Sequence, residues 1–336
     1  MNQSSDRSAL LTFEEELLPV LEATVLADRW TEARNDGRAS HRRRGSLSVV
    51  VIAITLALVV PIALPEGTGG ASPAAAEALH QVAIRAARLA PGPAPEPGEY
   101  LYVESSASAT SLYVTGGEVP NFFFKTTTKR STWISPDGSG RIIEVVTVDF
   151  PSEADRSAWR DAGAPRLQGD LSSDETFGRG ELSFVDTNEL PNDPRELRSW
   201  IEVRTGEDTW RTFSMVGDLL RYTSTPPAVR AALYLVAADL DGVELVGKTT
   251  DALGRSGVAV GYTHAGVRHE LIFDPGTAEL LGEEDVLVED SEVDVESGGP
   301  GAIYGSVGPA GTRASATTYL FSEITGTISV SPERPA

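Results

Sequence analysis

The sequence predicts an α+β fold: an N-terminal transmembrane helix followed by a curved antiparallel β-sheet packed against about three helices. Three observations carry this expectation. Ser46 to Leu64 is a run of 19 residues without a charge, which as a helix spans roughly 28 Å, close to the hydrocarbon thickness of a bilayer. Residues 100–150 are rich in aromatic and β-branched side chains with strand periodicity. Three segments between 193 and 240 then repeat apolar residues at helical spacing, and strands return after them.

Taken in order, residues 1–45 read as a short cytoplasmic segment, with Leu10, Phe13, Leu17 and Leu21 near helical spacing and Pro19 interrupting it. Arg42, Arg43 and Arg44 precede the span at 46–64 and Glu66 follows it. The positive-inside rule then gives a single-pass protein of the cell membrane, N-terminus cytoplasmic and C-terminal domain extracytoplasmic. A cleaved signal peptide is the rival reading, helped by the small residues Ala71 to Ala76. Residues 65–98 hold a helix opened by Ser72 and Pro73, as cap and first-turn proline, and a proline-rich spacer, Pro91 to Glu99.

Residues 99–330 are expected to form the extracytoplasmic α+β domain. Strands are predicted at 100–105, 111–116, 121–135 and 140–150, with "SPDGSG" turning between the last two. Asp193, Pro194 and Glu196 open a helix in the order that its free amides require. A second helix runs near Thr209 to Arg221, and Pro226 and Pro227 open a third. Further strands follow at 242–249, 258–263, 267–274, about 280–290 and 317–330. Strands from both ends of the chain are expected to join one sheet, and a split near residue 185 is the other possibility.

Charge and composition exclude several functions. The chain has 28 Lys and Arg against 49 Asp and Glu, a net charge of -21. Before residue 65 there are eight acids and seven arginines, so 41 acids and 21 bases fall after it. Such a surface repels phosphate, and no nucleic-acid partner is expected. The absence of cysteine removes disulfides, thiolate chemistry and cysteine-held metals.

Candidate chemistry is sparse. "YTHAGVRHELIFD" places His264 and His269 near Glu270 and Asp274. With Ala265 and Gly266 as a two-residue turn, His264 faces Val267, Tyr262 faces His269, Val260 faces Leu271 and Val258 faces Phe273. Both histidines then share the apolar face, while Glu270 and Asp274 point away. A two-histidine metal site is geometrically open but needs a third ligand from elsewhere; the alternatives are a polar cap on the rim of the core, with His269 against Tyr262, or His264 exposed through a different turn. "HELIF" lacks the second histidine of a zincin motif, and "GRSGV" lacks nucleophile-elbow spacing. Glu283 to Glu296 holds eight carboxylates and reads as a solvated acidic edge that discourages strand pairing. Asp239 and Asp241 lack the order of a calcium loop. Tyr100, Tyr102, Tyr113, Phe122 to Phe124 and Trp133 crowd the first strands, either as ordinary core or as the lining of a lipid or peptide groove. No catalytic, cofactor or metal residue is assigned.

"PGEYLYVES" at 97–105, "GAPRLQG" at 163–169, "LPNDPRELRSWI" at 190–201, the stretch from Val216 to Gly261 and "RHELIFDPGTAELLGEE" at 268–284 resemble a family of actinobacterial single-pass membrane proteins named after a locus tag. The shared positions are mostly turn and cap residues: Pro191, Asp193, Pro194, Pro226, Pro227, Asp251, Gly254, Asp274 and Pro275. Family members are often associated with sigma-factor genes, so the resemblance implies a sigma-factor regulatory partner. The outer domain is more loosely similar to lipoprotein-carrier and periplasmic sigma-regulator folds. The expected function is therefore a non-enzymatic, membrane-anchored extracytoplasmic binding or sensor-type protein. Its expected partners are the lipid bilayer, through residues 46–64, and an envelope protein or lipid ligand. The alternatives are a lipid or lipoprotein carrier-like binding domain and a carboxylate-based cell-envelope hydrolase.

Overall fold

The structure, a computed structural model, describes residues 70 to 328 apart from 91, 93, 117–118, 168–171, 183–184, 223 and 293–298. Five α-helices and ten strands occur among them. In chain order they are α1 (Pro73–Ala86), β1 (Tyr100–Tyr113), β2 (Phe122–Ile134), β3 (Gly140–Asp149), α2 (Glu153–Asp161) and β4 (Ser173–Phe177), then α3 (Pro194–Thr205), α4 (Thr209–Leu220) and α5 (Pro227–Ala238). β5 (Val243–Thr250), β6 (Ser256–His264), β7 (Val267–Phe273), β8 (Leu280–Leu287), β9 (Ile303–Gly305) and β10 (Arg313–Thr325) complete the series. The strands make one open antiparallel sheet in the order β4-β3-β2-β1-β10-β8-β7-β6-β5, and β9 pairs with β1 beyond the reach of β10. The first long strand and the last are therefore neighbours at the centre of the sheet.

Local chemistry explains the helices. Asp193 Oδ1 accepts from the amides of Arg195 and Glu196, and Gly206 ends α3 in the left-handed region at φ 69°; caps of this kind are worth about 1 kcal/mol each. Ser72 caps α1 ahead of Pro73 in the same way. α5 is buried over nearly its whole circumference, from Val229 to Ala238. That follows from its apolar sequence, since a helix without a polar face must be enclosed. α1, α3 and α4 surround it, and the group covers the sheet from β5 to β8. Leu79, Val82, Leu197, Ile201, Phe213, Val216 and Leu233 meet Val260, Leu271 and Phe273 there in one core.

A second, smaller core lies on the same face at the other end, where α2 and Leu167 cover Phe122 and Phe124. Asp155, inside the first turn of α2, accepts the amide of Phe123 at 2.8 Å and so pins the helix to β2. Between the two helical covers, the middle of this face at β1 is built from small residues, Ser105, Ala107 and Ala109, all only partly buried. Tyr102 and Trp133 point to the opposite face, 4.9 Å apart, and both are fully buried.

Several expectations are corrected here. The N-terminal transmembrane helix is not retained: among the described residues no helix is long and apolar enough to cross a bilayer. The longest has 14 residues, roughly 21 Å against the 30 Å required. The proposed span at 46–64 and the segment 1–45 lie outside the described residues, so the bilayer is not retained as a partner. Five helices, not about three, accompany the sheet. The segments expected as separate strands at 100–105 and 111–116 are one strand, β1, and the helix α2 and the edge strand β4 were not predicted.

Candidate functional site

The β6–β7 hairpin sets the first part of the site. Ala265 and Gly266 both have positive φ, 48° and 78°, the geometry of a two-residue turn whose twist matches the strands. Val267 therefore pairs with His264, His269 with Tyr262, Leu271 with Val260 and Phe273 with Val258. His264 is exposed and stacks on Trp210 of α4 at 5.8 Å. His269 is turned into the protein, its ring perpendicular to those of Trp210 and Phe213 at 5.2 and 6.0 Å between centroids.

Its polar partners come from β8 and not from its own hairpin. His269 Nδ1 lies 2.8 Å from Asp285 Oδ1, and Nε2 lies 3.2 Å from Glu283 Oε2. The second contact is ionic and not a well-aligned hydrogen bond, because the ring N–H does not point along the line to the oxygen. Ser315 Oγ donates to the other oxygen of Asp285 at 2.7 Å, the Tyr319 hydroxyl donates to Glu283, and Arg221 approaches Glu283 at 3.9 Å. Burial alone would lower the pKa of the imidazole. The hydrogen bond to Asp285 and the contact with Glu283 outweigh it and raise the pKa to about 10. Burial pushes Glu283 upward, yet His269, Arg221 and Tyr319 bring it down to about 2. Tyr319 is pushed up by its own burial and by Glu283. The result is an imidazolium fixed between two carboxylates, with neither nitrogen available to take a proton from a substrate.

The same network reaches a cleft through Tyr319 and Arg221. The cleft has a volume of about 150 Å³ and opens where β8 and β10 part company. Their pairing ends at Gly282 and Thr318. Just beyond, β8 bulges against β7 and β10 bulges against β1, leaving Leu281 and Leu320 as the extra residues. Bulges re-aim side chains and release strand pairing. Leu281 and Leu320 accordingly line the cleft together with Val103, Leu220, Leu280 and Phe321. Arg255 Nη2 donates to the carbonyls of Leu281 and Tyr319, both at 2.8 Å, and so satisfies acceptors that strand separation exposes. Buried Asp251 holds Arg255 in place and accepts the amides of Leu253 and Arg255. Arg230 completes the wall, with Nη2 on the Tyr222 carbonyl at 3.0 Å and Nη1 on that of Ala278 at 3.5 Å.

The remaining candidates serve the fold. Glu270 is on the opposite face, buried and engaged by Arg268 at 2.6 Å. Asp274 accepts the amides of Gly276 and Thr277 in the β7–β8 turn. Asp239 binds Arg198, and Asp241 accepts the amide of Gly70. Tyr102, Phe122, Phe124 and Trp133 are core on two faces and do not line one groove. Among the described residues no group of three His, Asp or Glu side chains is placed to hold a metal. The solvated acidic edge is corrected for its first part: β8 is an interior strand, and Glu283 to Asp285 pair inside it, with Glu284 buried against Arg313.

No family model matches this chain, and no curated protein is similar to it. The resemblance to the actinobacterial single-pass family is therefore corrected, since the membrane helix that defines that family is not found among the described residues either. The sigma-factor partner that the resemblance implied falls with it, and the membrane-anchored sensor and extracytoplasmic placement, read from the apolar run at 46–64, are not retained either.

Proposed function

We propose that this chain is a non-catalytic binding domain that takes an apolar, acyl-type chain into the cleft between the ends of β8 and β10 and the α4–α5 junction. The paired bulges carry the reading. They leave two leucines with no ladder partner, Leu281 and Leu320, among the residues that line the cleft, together with Val103, Leu220, Leu280 and Phe321. A sheet that only needed to be closed would continue its pairing here. Pockets for drug-sized ligands run from about 300 Å³ upward, so this cleft of about 150 Å³ is suited only to the end of a single chain.

Turnover has little support in the same geometry. Among the described residues Glu279 is the one carboxylate lining the cleft, and Glu283 behind it is taken by His269, Tyr319 and Arg221, whereas acid–base hydrolysis needs two carboxyl groups facing each other across the substrate. The test is titration of the full chain with the neutral fluorophore N-phenyl-1-naphthylamine. We expect a saturable, one-to-one gain in fluorescence that decanol displaces. Val103→Trp, which fills the cleft, is expected to abolish it. A folded protein that gives no gain, or a Val103→Trp variant that binds unchanged, would rule the reading out.

A further inference from the structure

We infer that Glu284 is a proton-operated latch on the seam between β8 and β10: with a proton on Glu284 the seam stays closed, and without it the seam loosens. The seam joins two halves of the molecule. Helices α1, α3, α4 and α5 cover β5 to β8 and α2 packs on β2, so the pairing of β8 with β10 carries the sheet from one half to the other. That pairing is short. It runs from Arg313 opposite Val286 to Thr318 opposite Gly282, with a bulge after Arg313, and it ends at the cleft. Glu284 sits within it, opposite Ala316 and two pairs from the cleft. The latch goes beyond ligand binding and works whatever the cleft holds.

Three features make a charged Glu284 unfavourable in the closed seam. It is only 5% exposed, although it carries a carboxyl group. Glu270, 4% exposed, stands directly opposite on β7, and like charges in opposed positions repel. One carboxyl oxygen, Oε1, has no hydrogen-bond partner among the described residues, and neither has the buried hydroxyl of Thr318 on β10; an ionised oxygen left in this way keeps the full cost of losing water. Arg313 opposes all three, with Nε 2.8 Å from Oε2, but its side chain is half exposed and water screens the attraction. The other arginines nearby are engaged, Arg268 by Glu270 and Arg255 by Asp251 of the β5–β6 turn. Burial accordingly raises the Glu284 pKa above its ordinary value of 4.5, Arg313 draws it back, and Glu270 and Asp251 raise it further. Loosening the seam returns Glu284 to water and to that ordinary value. Closure is therefore supported fully below about pH 4.5 and loses this support as pH rises through the raised pKa. On the other face of the seam, beside Asp285 and Arg221, His269 withdraws its support only above pH 6.5 and Glu283 only below pH 4.5. The interval between is left to Glu284.

Hydrogen exchange of the full chain, read by mass spectrometry from about pH 4 to 8 and corrected for the intrinsic pH dependence of amide exchange, tests the latch. In peptides spanning 280–288 and 313–320 we expect the opening constant to rise between pH 4.5 and 6.5, by at most about tenfold per pH unit because one proton is released. Amides paired between β2 and β3 should show no such rise, since they take no part in the seam. Glu284→Gln keeps the shape and cannot ionise. It is expected to flatten the seam's response between pH 4.5 and 6.5 while leaving the rise above pH 6.5 that His269 supplies. Should that variant fail to fold, Glu270→Gln, which removes only the like charge opposite, should shorten the rise. Flat protection at the seam of the unaltered chain, an equal rise between β2 and β3, or a rise that either variant leaves unchanged would overturn the latch.

Discussion

At the scale of single residues, His269 shows how position decides chemistry. Its nitrogens face Asp285 and Glu283, and the polar side chains around it are completed by Arg221, Tyr319, Tyr262 and His264 from the elements packed on it. Linkage fixes the pH behaviour. The imidazole pKa rises from 6.5 to about 10 on folding, so its stabilisation is full below pH 6.5 and is lost as pH climbs toward 10. The Glu283 pKa falls from 4.5 to about 2, so its contribution is full above pH 4.5 and is lost as pH falls toward 2. Urea unfolding midpoints should therefore be highest between about pH 4.5 and 6.5. His269→Gln should flatten the alkaline limb and Glu283→Gln the acid limb. His269→Leu, which strands both carboxylates, is expected to cost about 3–5 kcal/mol in the same measurement. The orientation of His269 was legible, because a two-residue turn fixes which neighbours share a face. Its partners were not. Leu281 adds a residue to β8 and breaks the alternation from which Glu283 and Asp285 could have been placed, and a run of acids carries no mark in one dimension that separates a solvated edge from an interior strand. Tyr319 and the three arginines escaped notice for the same reason: they converge only when β10 and the α4–α5 junction are folded together.

At the scale of elements, helices with explicit starts were readable and weakly marked strands were not. Asp193-Pro194 and Ser72-Pro73 name their own caps. By contrast Ser106 to Thr110 has no hydrophobic signature, yet it is strand because β2 and β10 flank it on both sides. Propensity gives way to pairing on two edges. Turn chemistry offers a direct check. Ala265 occupies the left-handed region at φ 48°, where a β-carbon is strained and asparagine is tolerated. Ala265→Asn should thus raise stability by about 0.5–1 kcal/mol, read as an increase in the thermal midpoint; a decrease would mean that the turn is held by something other than its own backbone preference. Gly282 tests the opposite case. A β-carbon there would lie 2.5 Å from the carbonyl oxygen of Thr317, a backbone atom that cannot swing aside. Gly282→Ala is expected to cost about 1–3 kcal/mol and to disturb ligand binding as well, since Gly282 is the last rung of β8 against β10 beside the cleft.

At the scale of the whole molecule, the decisive contact is between strands more than two hundred residues apart. Tyr100 pairs with Thr325 and Ala109 with Ser315, in the middle of the sheet. Loop closure over such a distance is entropically slow, so the chain should refold on the scale of seconds and only once the last strand is available. Deleting residues 313–336 uncovers the edges of β1 and β8 at the sheet's centre, and circular dichroism should then show no cooperative thermal transition. A retained sharp transition would mean that the β5–β8 half with its helices folds alone. The antiparallel sense of the central pair also has a mechanical consequence. Because Tyr100 and Thr325 are opposite one another, a force drawing those two points apart meets the ladder one rung at a time, as in opening a zip. Held instead at Ala109 and Thr325, the same two strands would have to slide past each other with all the rungs between loaded together, and should resist a markedly larger force.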